Sequence, residues 1–228
     1  MKLFFIICWT LVSGFTFGQI AIIYDKEGNC NVRSSAKFGD NIIDKLDNGH
    51  FIYCFENSGN WTSINYTKNR KELDGYVYKD RYILVSSYQK IPILAKENSK
   101  VILKKDNIEV MLTEQRFDRS KHTLTFYKEY KDQLEFIDNK KFWGTDGGIP
   151  ATEYKSIEIT IGQRKLILPK YAFDDLYEVS LNNTMVNYDK IRDILYIQSM
   201  NSDGAGNYEV IWKIEKGIYK ERYVAQGF

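Results

Sequence analysis

The chain has 228 residues, with 32 basic and 30 acidic side chains and a formal net charge of +2. That balance lacks the clustered positive face by which proteins hold nucleic acid, so no nucleic-acid partner is expected. Aromatic residues make up 15% and only three prolines occur, which fits a β-rich chain long enough for one large core or two small ones.

The first residues read MKLFFIICWTLVSGFTFG. Lys2 is a positive start, Leu3 to Val12 a mostly apolar run, and Thr16 and Gly18 occupy the −3 and −1 places of a small-x-small cleavage site. Residues 1–18 therefore read as a secretion signal, with Gln19 as the mature N-terminus. The run is about half the roughly 20 residues a membrane-crossing helix needs, so no span is expected in the mature chain. The expected location is periplasmic or extracellular.

Between residues 20 and 85, short apolar runs (IAIIY, CNVRSS, IIDKL, FIYCF, WTSINYT, YVYKDRYILV) are punctuated by DKEGN, AKFGDN, DNGH, ENSGN and KNRKELDG. Runs of four to seven residues between such breaks indicate a small antiparallel barrel, residues 19–85. SSYQKIP, 86–92, breaks the pattern and reads as a linker. Residues 93–228 then read as a second, larger antiparallel β domain, a sandwich or barrel, making the whole chain all-β with at most a short helix. Hairpins are expected over Gly162-Gln163 and Lys216-Gly217. In YEVIWKIEK, Tyr208, Val210, Trp212 and Ile214 share one parity and Glu209, Lys213 and Glu215 the other, which predicts one buried and one wet face. PKYAFDDLYEV, 169–179, is the best short helix, with Pro169 near its start.

Spacing becomes specific in residues 25–83: Asp25-x-x-Gly28-x-x-Asn31-Val32-Arg33-Ser34-Ser35, Ile42-Ile43-x-x-Leu46-x-x-Gly49, Gly59-x-Trp61-x-x-Ile64 and Gly75-Tyr76-Val77. Four motifs in this order resemble the bacterial SH3 (SH3b) family over about 60 residues. Val32, Ile43, Leu46, Ile64 and Val77 are then the inward positions of a five-stranded barrel, and Arg33 is assigned first to holding the barrel together. The resemblance places Trp61 where such domains carry an exposed groove aromatic, with Tyr24, Tyr66 and Tyr76 completing a platform for an extended peptide. A core Trp61 is the competing reading. Three positions separate it from Ile64, which sets the two on opposite faces of a regular strand. TKNRKELDG departs from the family as a long connection before GYV.

Catalytic parts are scarce. With the signal removed, the cysteines are Cys30 and Cys54, and His50 and His122 are the histidines. An even cysteine pair in an oxidising compartment invites a disulfide between Cys30 and Cys54, but two buried free thiols are the preferred reading. Residues 86–228 hold no cysteine and one histidine, so a Cys–His peptidase or a zinc amidase lacks its residues there. Glu129, Glu135, Asp138 and Asp146 leave a carboxylate hydrolase open, though they read first as solvated strand and turn faces. Asn201, Asp203, Gly204 and Gly206 are a weak Ca²⁺-loop pattern better explained as a turn, and Trp143 beside the WGTDGGIP loop is a ligand candidate if exposed. No cofactor or metal is expected. The reading is an exported, non-enzymatic binding protein that recognises a peptide, either a peptidoglycan stem peptide or a protein partner. The alternative is an inhibitor or immunity-type protein that blocks a secreted enzyme or toxin.

Overall fold

The computed structural model describes residues 19–226; the proposed secretion signal, residues 1–18, lies outside them. Seven strands open the chain: β1 (Gln19–Ile23), β2 (Asn29–Arg33), β3 (Ile42–Asp47), β4 (Phe51–Ser58), β5 (Trp61–Lys68), β6 (Lys71–Tyr78) and β7 (Tyr82–Leu84). They form one antiparallel sheet in the order β3-β2-β6-β5-β4-β1-β7. Val32, Leu46, Ile64 and Val77 pack inside it with Ala21, Ile23, Ile52 and Tyr66.

Ile43 departs from the expected inward set and is 54% exposed. Val32 pairs with Asp44 and Arg33 with Ile42, so Ile43 is the extra residue of a β-bulge and the inward parity is broken there. The long connection expected before GYV is also absent. β5 and β6 pair out to Lys68 and Lys71 around Asn69 and Arg70, both at positive φ, as a two-residue hairpin turn matched to strand twist requires.

The remaining strands are β8 (Gln89–Ile91), β9 (Ile93–Glu97), β10 (Lys100–Lys105), β11 (Ile108–Arg116), β12 (Leu124–Phe126), β13 (Leu134–Ile137), β14 (Thr152–Ile161), β15 (Arg164–Ile167), β16 (Thr184–Asp189), β17 (Ile194–Asn201), β18 (Tyr208–Glu215) and β19 (Ile218–Gln226). They build two five-stranded sheets, β15-β14-β11-β10-β9 and β19-β18-β17-β16-β8, and a separate β12-β13 ribbon. Both expected hairpins form, Ile161 pairing with Arg164 and Glu215 with Ile218. The expected helix over 169–179 reduces to one 3₁₀ turn, Lys170–Ala172, after Pro169.

The sheet ending in β19 is a central layer. On one face, Leu195, Ile197, Tyr208, Val210, Trp212 and Ile214 pack against Val101, Val110, Ile157 and Ile159. On the other, Ile194, Tyr196, Ile211 and Tyr223 pack against Ile20, Ile22, Phe51 and Tyr53 of the first sheet. This corrects two expectations. β18 has no wet face over its first five residues, Tyr208 to Trp212, and Glu209 is 3% exposed, because the first sheet covers it. Residues 86–92 are no free linker: Ile91 is buried and pairs with Val186 as β8, the edge strand of the central layer. The fold is all-β, and no described helix is long and apolar enough to cross a membrane.

Candidate functional site

The motif Asn31-Val32-Arg33-Ser34-Ser35 runs off the end of β2 into a loop, residues 34–41, that carries Phe38. Arg33 Nη1 donates to Gly39 O at 2.8 Å and Asn41 Oδ1 at 2.7 Å. Asn41 Nδ2 in turn donates to Ser35 Oγ at 2.8 Å and Lys37 O at 3.0 Å. These bonds hold the loop so that Phe38 meets Trp61 edge-on at 4.9 Å. Tyr78, the cross-strand partner of Trp61, stands perpendicular to it at 5.2 Å and 5.7 Å from Phe38. Phe38 is nonetheless 71% exposed. The Arg33 guanidinium carbon lies 5.4 Å from the Phe38 centroid and 5.7 Å from that of Trp61, within cation–π range.

These residues line a cleft of about 350 Å³ together with Asp25, Glu27, Asn29, Cys30, Asn31 and Arg81. Asp25 is buried and accepts from the Glu27 amide at 2.7 Å and from Arg81. The amide bond first, and then Arg81, hold its carboxyl below the usual carboxylate range. Arg81 Nε also pairs with Asp80 at 3.0 Å. Burial pushes the Cys30 thiol up to about 11, which holds it as the protonated thiol and not the nucleophilic thiolate at neutral pH.

The four aromatic residues expected to form a platform do not come together. Trp61 alone lines the cleft, and it is only 7% exposed. It stays outside the core cluster of the first sheet, on the face opposite Ile64, covered by Phe38 and Tyr78. Tyr24 is exposed and lies under the Arg192 guanidinium at 4.4 Å, which ties the first sheet to the central one. Tyr66 shares the inward parity of Ile64 and is buried in the core of the first sheet, its hydroxyl donating to Asp44 Oδ2 at 3.0 Å, and Tyr76 pairs with Ser63 and Arg33 without entering the cleft. Tyr78 was legible as the residue opposite Trp61 in a hairpin, whereas no local pattern marks Phe38.

Of the two readings of the cysteine pair, the structure has the free thiols and not the disulfide. Cys30 and Cys54 are both buried free thiols, on β2 and β4, with β6 and β5 between them in the sheet. His122 spends both ring nitrogens on carboxylates, Nδ1 on Asp138 at 2.7 Å and Nε2 on Glu153 at 3.1 Å, and stacks on Phe117 at 4.5 Å. His50 is half-buried, and burial lowers its pKa. Glu129, Glu135 and Asp146 open onto a separate cleft of about 740 Å³ beside Tyr127 and Tyr130.

The two glycine-rich stretches of the second half meet. Ser202 Oγ donates to Gly144 O at 2.6 Å, and a Cβ on Gly206 would lie 2.8 Å from that same oxygen. Asn201 Oδ1 accepts from the Ser180 amide at 2.9 Å and from Tyr154 and Ser199 hydroxyls at 3.2 Å, so it is committed to the fold. Trp143 is half-buried and packs against the core cluster of the second half, 6.0 Å from Tyr208. Among the described residues no group of three or more His, Cys, Asp or Glu is placed to hold a metal ion. Comparison with known proteins found no matching family model, no similar curated protein and no similar solved structure.

Proposed function

We propose that this chain is an exported, non-enzymatic binding protein whose N-terminal, SH3b-like part recognises an extended peptide, either a stem peptide of the cell wall or a segment of a protein partner. The observation that carries this reading is the Phe38–Trp61–Tyr78 cluster at the cleft beneath the residue 34–41 loop. A ring left 71% exposed on a loop fixed by five side-chain hydrogen bonds offers apolar area at little further entropic cost. The order of the SH3b-like motifs and the signal-like N-terminus support the same assignment.

The test is sedimentation of the mature protein with purified peptidoglycan. Retention of the wild type, and its loss in Phe38→Ala, supports wall-peptide recognition. Phe38→Ala is preferred to a change at Trp61 because it removes mainly exposed surface. A protein that stays in the supernatant with wall from several bacteria, yet captures one secreted enzyme in a 1:1 complex, would replace this reading with the inhibitor alternative.

A further inference from the structure

We propose that the cleft selects a peptide bearing a carboxylate, received by Arg33 while the neighbouring apolar side chain of the peptide lies on Phe38 and Trp61. This rests on the peptide-binding reading above and adds a ligand class to it.

Of the two cations that line the cleft, Arg81 is already spent and Arg33 is not. Arg81 pairs with Asp25 and Asp80, Arg164 with Asp193, Arg192 with Asp189 and Arg222 with Asp175. Arg33 has no carboxylate partner among the described residues. Its two hydrogen bonds both leave from Nη1 and both go to uncharged oxygens, Gly39 O and Asn41 Oδ1. Nε and Nη2 therefore keep N–H donors without a protein acceptor among the described residues, on a side chain already oriented by its bonds and its two ring contacts. A fixed guanidinium with a free edge meets the planar, two-oxygen geometry of a carboxylate, and it loses little rotamer entropy in doing so. The rings beside it offer the apolar half of the same recognition event.

The other charges of the cleft set the selectivity. Asp25 is neutralised by Arg81. Glu27 is exposed, with no cation paired to its carboxylate among the described residues, and it repels an incoming anion. Glu27→Gln should therefore tighten binding of an acidic peptide, whereas a cleft built for a cation would be weakened by it. The opposite signs make this a test of charge preference apart from any test of folding.

The decisive experiment leaves the protein unchanged and varies the ligand. The mature chain is titrated against a library of seven-residue peptides fixed through their N-termini, each presented as the C-terminal acid and the C-terminal amide, with glutamate and glutamine versions at internal positions. Hydrogen bonds to a charged group set the expected preference at about tenfold or more for the carboxylate form. Preference for the free acid assigns the carboxylate to a peptide terminus, and preference for glutamate over glutamine assigns it to a side chain. Either preference should shrink in Arg33→Gln and grow in Glu27→Gln. Equal binding of charged and uncharged peptides, still dependent on Phe38, overturns the carboxylate assignment while leaving peptide recognition in place. Absence of any Phe38-dependent binding across the library overturns the peptide reading itself.

Discussion

Ile211→Ala tests whether the first sheet and the rest of the chain fold as one unit. Ile211 is fully buried where the central layer meets the first sheet, in a cluster that joins Ile20, Ile22, Phe51 and Tyr53 to Ile194, Tyr196 and Tyr223. Truncating a buried isoleucine leaves a cavity with contributions from both sides and costs about 2–5 kcal/mol. A loss of about 3 kcal/mol lowers Tm by roughly 6–12 °C in a chain of this size. Calorimetry should show one transition displaced by that amount. Native-state hydrogen exchange should show the amides of β1 and β4 losing protection together with those of β18, because all three strands bury side chains in the same cluster. Two resolved transitions, with β1 and β4 as protected as in the wild type, would show that the interface contributes no coupling and that the halves are independent domains.

Two further changes probe buried features. Glu209 lies between the sheets with Gln198 donating to it and Tyr53 beside it, and no cation pairs with it among the described residues; burial raises its pKa. Below the ordinary glutamate value both folded and unfolded chains hold the proton; as pH rises above it the folded state resists ionisation and stability is lost until the raised folded value is passed. The advantage of Glu209→Gln over wild type in urea midpoint should thus grow between pH 4 and pH 7, and an advantage that does not change with pH would refute the buried-carboxylate account. Gly75→Ala should cost about 1–3 kcal/mol by overpacking, since a Cβ there would lie 2.4 Å from Val32 Cγ1 and 2.9 Å from Arg33 O; a urea midpoint equal to wild type would mean that β2 moves aside freely.

What the sequence made legible was local. Hairpins at Gly162-Gln163 and Lys216-Gly217 follow from turn chemistry, and the inward Val32, Leu46, Ile64 and Val77 from the SH3b-like motifs that carry them. Failures came where a distant segment decided the outcome. Glu209 looked solvent-facing by alternation, but the first sheet, which ends 125 residues earlier in the chain at Leu84, covers that face. SSYQKIP is polar enough to read as a linker, yet Ile91 finds Val186 almost a hundred positions away. The expected aromatic platform failed similarly. Tyr66 lies two residues from Ile64 and packs inward with it, and Tyr24 is claimed by Arg192, so ring content alone did not show which rings would share a surface.

The strand NCNVR concentrates the lesson, because its two faces do different work. Cys30 and Val32 are buried in the core of the first sheet, while Asn31 is exposed and Asn29 and Arg33 are half-buried on the alternate parity. Cys30 has the more familiar chemistry of the two notable side chains, but its environment removes it: burial keeps the thiol protonated, and its Sγ contact is with the carbonyl of the next residue, Asn31, at 3.4 Å. Arg33 reads at first as a structural residue, and two of its N–H groups do hold the Phe38 loop. The planar fork laid over two rings with one edge unspent is what a lysine could not reproduce, and it moves the chemistry of this strand from the sulfur to the guanidinium three residues on.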